Sequence, residues 1–455
     1  MANISNSGGL TQHIRFKSAV ALVVANVIGA GVFTTTGFQA ADLGNPTLIL
    51  LLWLIGGILA YCGALCFAEL GAAMPAAGAE YVYLRESYGR AFGFMSAFVS
   101  LIAGFSAPIA GAVKSLVYYL AAWFPTLDSD ASIVGGVTLA DILAVGLIWS
   151  LVLVHLRGKK GAIGFNDFMT LLKVGGIVMI IIAAAAVGKG NVDNFTYVSE
   201  SYTDMPRGDV FSALATSLIF VMFCYSGWNA AAYVASEIIE PQKTLPKALL
   251  TGTAIVTILY LLLNSVYFYG ANVDALAGKV EVGLVASLEL FGPLGAGLVT
   301  AVLVISLLAS ASAMTIAGPR VYYAMGQDIR KLAVLTRTNE AGAPVNSLLL
   351  QGVVATVIVM SGSVDEILSY AGFTLALMSA LAVSCVIVLR LRQPDLPRPF
   401  KVWAYPLPPI FFIVVSVWTM FWAFQGRPVE STLALLTVAA GGAIFFAASL
   451  VRRTT

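Results

Sequence analysis

The chain has 455 residues, of which 59% are hydrophobic and only 11% charged, against about a quarter charged in an ordinary soluble domain. That balance excludes a soluble globular enzyme, and it excludes a disordered chain, which needs charge to stay solvated. The net charge of +2, from 25 Lys+Arg and 23 Asp+Glu, supplies no basic excess to recruit nucleic acid, which leaves hydrocarbon as the surrounding.

Apolar stretches of about twenty residues, enough to cross about 30 Å of hydrocarbon, recur along the chain. Twelve are predicted as spans 1 to 12, at 17–40, 46–70, 89–124, 138–156, 163–188, 209–236, 246–270, 292–325, 346–361, 365–392, 404–424 and 430–451. The leading segment 1–16 lacks a hydrophobic region followed by a small-residue cleavage site, so no removable signal is expected. With the N-terminus in the cytoplasm, most Lys and Arg fall inside; only Lys189, Arg207, Lys279 and Arg427 fall outside, and Lys114 and Lys173 lie within spans. By the positive-inside rule both termini are cytoplasmic. The longest loops, near 189–208 and 326–345, leave no room for a soluble domain, so any chemistry must sit in the bundle.

Span 1 carries Asn26-Val27-Ile28-Gly29-Ala30-Gly31-Val32-Phe33, which puts two glycines near mid-membrane. They weaken the helix there, or they form a small-residue packing groove. Glu69 and Glu80, like Glu237 further on, fall near cytoplasmic ends, where they are expected to cap helices or pair with Arg85, Arg90 or Lys243. Lys114, towards the outer end of span 3, is expected to snorkel to the interface. His155 beside Arg157 reads as interfacial, and Tyr118, Tyr119, Trp123, Trp403 and Tyr405 read as headgroup anchors.

Lys173 is too deep in span 5 to snorkel. A lysine there costs at least about 2.5 kcal/mol on insertion scales, so it should face the interior, either in a functional role or as a hydrogen-bond anchor between helices. Span 6 repeats the irregularity of span 1 in Phe223-Cys224-Tyr225-Ser226-Gly227-Trp228-Asn229, at matching depth and opposite direction. Paired glycine-interrupted spans opening two groups of five point to an inverted-repeat transporter with a midplane site. Broken helices leave backbone N–H and C=O groups without partners. An amino acid supplies both, its carboxylate taking the N–H groups around Ala30 to Val32 and its ammonium the carbonyls near Val27, Phe223 and Ser226. Phe223 is placed either to cover the ligand as a gate or simply to pack. Cys62, Cys66, Cys224 and Cys385 lie in apolar stretches with no CxxC or Cys/His spacing, so no disulfide, metal or cofactor is expected.

At these residues the sequence resembles the amino acid–polyamine–organocation superfamily of permeases over nearly its whole length. NVIGAGVF (Asn26 to Phe33) resembles the first-helix GSG-type motif, and CFAELGAAMPAAGAEYVY (Cys66 to Tyr83) the stretch from helix 2 into the first cytoplasmic loop. FCYSGWNAAAYVASEIIEPQKTLP (Phe223 to Pro246) is similar to the helix 6 signature, with Glu240 where the family often has Asn. The resemblance implies an all-α polytopic membrane protein of twelve transmembrane helices in a leucine-transporter-like fold. Its expected parts are a cytoplasmic segment 1–16, a first five-helix repeat 17–188, an inverted second repeat 209–392, and helices 11 and 12 at 404–451.

By the same resemblance Asn26, Val27, Ile28, Gly29, Ala30, Gly31, Phe223, Cys224 and Ser226 line the substrate. Lys173, preceded by Thr170-Leu171-Leu172, matches the lysine that fills the second sodium site of sodium-driven relatives and is implicated in proton coupling, and Ser310 matches the position facing it. Ala30 stands where many relatives have Ser, leaving backbone contacts alone for the carboxylate. Asn26 resembles basic amino acid and amine antiporters, whereas the span 6 segment resembles neutral L-amino acid exchangers. The loop 125–137 has no cysteine, so no disulfide-linked heavy-chain partner is expected.

The reading is a sodium-independent secondary amino acid transporter, by proton symport or exchange, in a bacterial cell membrane. An amine or basic amino acid antiporter and a non-transporting amino acid sensor are the alternatives. A membrane enzyme would need clustered carboxylates, a nucleophile with its base, or a metal, and the midplane offers a lone lysine.

Overall fold

The computed structural model describes residues 12, 14–76, 78–128, 137–157, 159–187, 189–340 and 342–450. Most of the leading segment 1–16, much of the loop 125–137, and Arg452 and Arg453 lie outside these residues. The described chain is helical, with only isolated bridges at Ile14–Ile238 and Thr338–Pro344. Ten helices are long and apolar enough to cross a membrane, and the shorter Phe16–Val27 and Val345–Ser361 supply parts of spans 1 and 9.

Local chemistry sets the ends of these helices. The second half of span 1, Thr35–Leu43, stops at Gly44 in the left-handed region (φ 58°), where glycine carries no Cβ penalty. Two residues later Pro46 opens the helix Pro46–Ala73, and Asn45 caps it by accepting from the amide of Leu48. Thr138 with Asp141 and Ser363 with Glu366 form capping boxes that start spans 4 and 10. The run Val282–Asp328 is two helices joined at Gly292 (φ 69°), so span 8 proper begins where the sequence places it.

Span 7, Pro241–Gly270, packs against spans 1, 2 and 8, and span 8 packs against spans 3 and 5. Span 1 thereby lies against span 7, while Arg207–Tyr225 of span 6 packs against spans 2, 10 and 11. Charges gather at the two ends of the bundle. At one end Glu69 accepts from Arg390 Nε at 2.9 Å and from the Val402 amide at 2.7 Å, with Arg398 at 3.4 Å. At the other, Arg427 pairs with Asp365 at 3.0 Å and lies 3.9 Å from both Asp42 and Glu430. The first is called the basic end below.

Candidate functional site

The first half of span 1, Phe16–Val27, stops at Ile28, whose backbone is extended (ψ 92°). A single 3-10 turn, Gly31–Phe33, then leads into Thr35–Leu43. The break opposes two helix ends, one presenting carbonyls with partial negative charge and one presenting amides with partial positive charge. Among the described residues no backbone carbonyl accepts from the amides of Ala30, Gly31 or Val32. These are the groups a carboxylate would take.

The carbonyls are held by other spans. Lys173 Nζ donates to Ala25 O at 2.8 Å and Ile28 O at 2.7 Å, and reaches Ser310 Oγ at 3.3 Å. Ser310 itself donates to Ile28 O at 3.1 Å. The ammonium therefore sits at the negative end of the first half-helix, with Lys173 only 1% exposed. Lys173 faces the interior and meets Ser310, as the sequence predicts.

Span 6 runs as Arg207–Tyr225, turns through Ser226, Gly227, Trp228 and Asn229, and resumes as Ala230–Tyr233. The two breaks cross. Gly227 adopts φ +98°, and a Cβ there would stand 3.0 Å from Asn26 O. A Cβ on Gly31 would stand 2.4 Å from Cys224 Sγ. Both contacts need glycine, which turns the sequence's alternative of groove or break into both at once. The hydroxyl of Thr35 lies 3.3 Å from Cys224 Sγ, a further link between the two spans.

Tyr260 on span 7 joins the breaks, donating to Val27 O at 2.7 Å and reaching Cys224 O at 3.1 Å. Two of the carbonyls assigned from sequence to the ligand ammonium thus have protein partners, Val27 O with Tyr260 and Phe223 O with the Ser226 amide at 2.9 Å. The reason is general: with the two spans pressed together, buried carbonyls take the nearest donor. Ser226 O accepts no hydrogen bond among the described residues. Phe223 is 5% exposed, within the core. Asn26 turns back to its own helix, donating to Leu22 O at 2.9 Å.

Several residues lie elsewhere than the sequence suggests. His155 is buried, not interfacial, and its Nε2 is 3.0 Å from Ser312 Oγ. Lys114 does not snorkel; it caps the end of span 9 by donating to Val359 O at 3.1 Å and Gly362 O at 2.7 Å, near Asp141. Tyr119 is no headgroup anchor: it is buried, donates to Phe33 O at 2.7 Å and accepts from the Gly283 amide at 3.1 Å. The Tyr405 ring carries the Arg390 guanidinium 3.8 Å from its centre. Glu69 and Glu80 take partners other than Arg85, Arg90 or Lys243, because spans 6 and 10 bring Asn229 and Arg390 closer.

Sequence reasoning passed over Tyr260, Asn264 and a π-helical turn, Ser100–Ser106, in span 3. Asn264 donates to Tyr260 O at 2.8 Å and accepts from Thr36 of span 1. A tyrosine and an asparagine four residues apart in an otherwise apolar span share one helix face, which is a readable signal. The π turn carries no such mark.

A helical bundle with crossed breaks in two spans and a buried ammonium on the first is the arrangement of a membrane carrier. The model of the amino acid permease family matches residues 14–446, and the chain belongs to that family. It is similar to the serine/threonine exchanger SteT of Bacillus subtilis (strain 168), 27% identical over 97% of this chain and 98% of the relative. It is also similar to the large neutral amino acids transporter small subunit 2 of Mus musculus, 26% identical over 98% of this chain and 83% of the relative. The b(0,+)-type amino acid transporter 1 of Mus musculus is 27% identical over 96% of this chain and 88% of the relative.

Proposed function

We propose that this protein is a sodium-independent secondary amino acid transporter of a cell membrane, working by alternating access through proton symport or amino acid exchange. The observation that carries it is the division of labour at the span 1 break. Lys173, Ser310 and Tyr260 hold the carbonyls, while the amides of Ala30, Gly31 and Val32 have no backbone acceptor among the described residues. A substrate carboxylate is the missing partner of those amides. Its α-ammonium meets the span 6 turn, where Ser226 O accepts no hydrogen bond among the described residues, and competes with Tyr260 for Val27 O and Cys224 O. Cys224 lines the same crossing, and Phe223 is the residue whose movement uncovers it.

The lysine ammonium argues against sodium, because a second cation at that point would meet a like charge at close range. Residues 17–188 and 209–392 form two five-span units, each opening with a broken helix, and 404–451 adds spans 11 and 12. The basic end faces the cytoplasm, by the asymmetry of Lys and Arg. The near-complete coverage of a Bacillus exchanger supports a bacterial cell membrane.

Counterflow in proteoliposomes tests this. Vesicles preloaded with unlabelled serine, threonine, leucine or arginine should accumulate the same labelled amino acid, and replacing Na⁺ by choline should leave the initial rate unaltered. Binding without exchange would make the protein a sensor. A strict sodium requirement would sink the role given to Lys173.

A further inference from the structure

Glu80 is a buried carboxylate that the site above does not use. It opens the short helix Glu80–Tyr88, directly after Gly78 and Ala79, both with positive φ (100° and 36°). Its side chain accepts from Asn229 Nδ2 at 2.8 Å, and the Tyr233 hydroxyl donates to it as well. The Gly78 amide adds a bond to Tyr233 O at 3.3 Å. Asn229 is the residue at which span 6 resumes after its break, three beyond Ser226. One carboxylate therefore fastens the loop after span 2 to the inner half of span 6 at the edge of the candidate substrate site.

Among the described residues no cation pairs with Glu80. Tyr83 on its own helix, Tyr233 on span 6 and Cys385 on span 10 are the titratable groups that face it. On its own helix Arg85 is bonded to Glu86. Arg90, which begins the next helix packed beside it, is exposed. On span 10, Arg390 is taken by Glu69 and Arg392 by the carbonyl of Ser87. Glu237, where span 6 ends, has its backbone carbonyl bonded to the Ile14 amide.

We infer that Glu80 is a proton-binding site of the basic-end gate, protonated while Asn229 and Tyr233 close over it and deprotonated into water when the inner half of span 6 moves away. The inference deepens the transporter reading and rests on it for its role in a cycle, since it names the group that gives up a proton as the basic end opens.

Linkage fixes the sign. Burial pushes the Glu80 carboxyl up to about 7, against 4.5 in water, with Tyr233 and Asn229 opposing the rise through their hydrogen bonds. A group that binds its proton more tightly in the closed form favours that form in acid. Opening becomes easier as pH rises between the two values, by up to about tenfold per pH unit for one proton. Above about 7 the effect levels off.

Hydrogen exchange of the purified full-length protein tests this without any substrate. A peptide covering 230–239 is followed at pH 5 and pH 7, with intrinsic base catalysis removed by reference to the same peptide unfolded. The wild type should show an excess opening of some tens-fold at pH 7, and Glu80→Gln, which keeps an acceptor for Asn229 but cannot ionise, should show none. Glu80→Asp should restore the dependence. Absence of the excess in the wild type, or the same excess in Glu80→Gln, would overturn the assignment. If Glu80→Gln does not fold, Asn229→Ala serves. It deletes a donor to the carboxylate and should move the midpoint to higher pH, and an unmoved midpoint counts against the site. Counterflow at equal pH on both sides reports separately on the transporter reading, so the two can fail independently.

Discussion

Replacing Lys173 by methionine separates the energetics of folding from those of the transport cycle. Methionine has similar length and no donor, so Ala25 O loses its bond from the ammonium and Ile28 O keeps only the one from Ser310. Hydrogen bonds to charged groups contribute about 1.5–3 kcal/mol each, which puts the loss of hold on span 1 at about 3–6 kcal/mol for two. Removing the charge from hydrocarbon returns at least about 2.5 kcal/mol. The fold as a whole should then be destabilised by no more than about 3.5 kcal/mol. The first half of span 1 loses the ammonium's share of its hold, however, because the compensating gain does not depend on where that half-helix sits. A loss of about 3 kcal/mol in the preference for the closed arrangement is about a hundredfold in its population. The assay pairs thermal unfolding of the purified protein with initial counterflow rates. Lys173→Met should remain folded while exchange falls at least tenfold. Exchange at the wild-type rate would refute the claim that this ammonium governs span 1.

Gly31→Ala should abolish binding, since its Cβ would meet Cys224 Sγ at 2.4 Å; adding Cys224→Gly should recover part of it, measured by the ligand-induced rise in melting temperature. Tyr260→Phe leaves Val27 O and Cys224 O without their hydroxyl donor. It should cost about 1–3 kcal/mol, read as a lower melting temperature together with slowed exchange. Glu240 sits in the left-handed region (φ 47°) at the start of span 7. That conformation costs an ordinary residue about 1–2 kcal/mol, so Glu240→Asn should raise the melting temperature and leave counterflow unchanged.

The left-handed backbone at Glu240 also gives a physical reason for the asparagine that the family resemblance leads one to expect there, since Asn visits this region more readily than Glu. Departures of this kind are visible in a sequence, but their meaning is not. The same holds for Lys173. Its depth in an apolar span requires an interior polar partner, yet nothing in the order of residues says that the partners are Ala25 and Ile28.

What the sequence determined by itself is whatever depends on local composition. Apolar length sets the number of spans, since a chain in hydrocarbon must satisfy its backbone within each helix. Glycines at Gly29, Gly31 and Gly227 mark where those helices give way, and the positions of Lys and Arg suggest an orientation. Tertiary structure decided the rest, because a polar group buried in lipid bonds to whichever partner the packing brings near. Tyr119, His155 and Lys114 look like boundary residues in one dimension, and in three they are held by Phe33, Ser312 and Val359 from distant spans. Glu80 has basic residues close by in sequence and none as an ion-pair partner among the described residues, since the turn at Gly78 and Ala79 aims it into span 6. Which groups remain for a substrate at the crossed breaks follows from that pairing, and no local pattern encodes it.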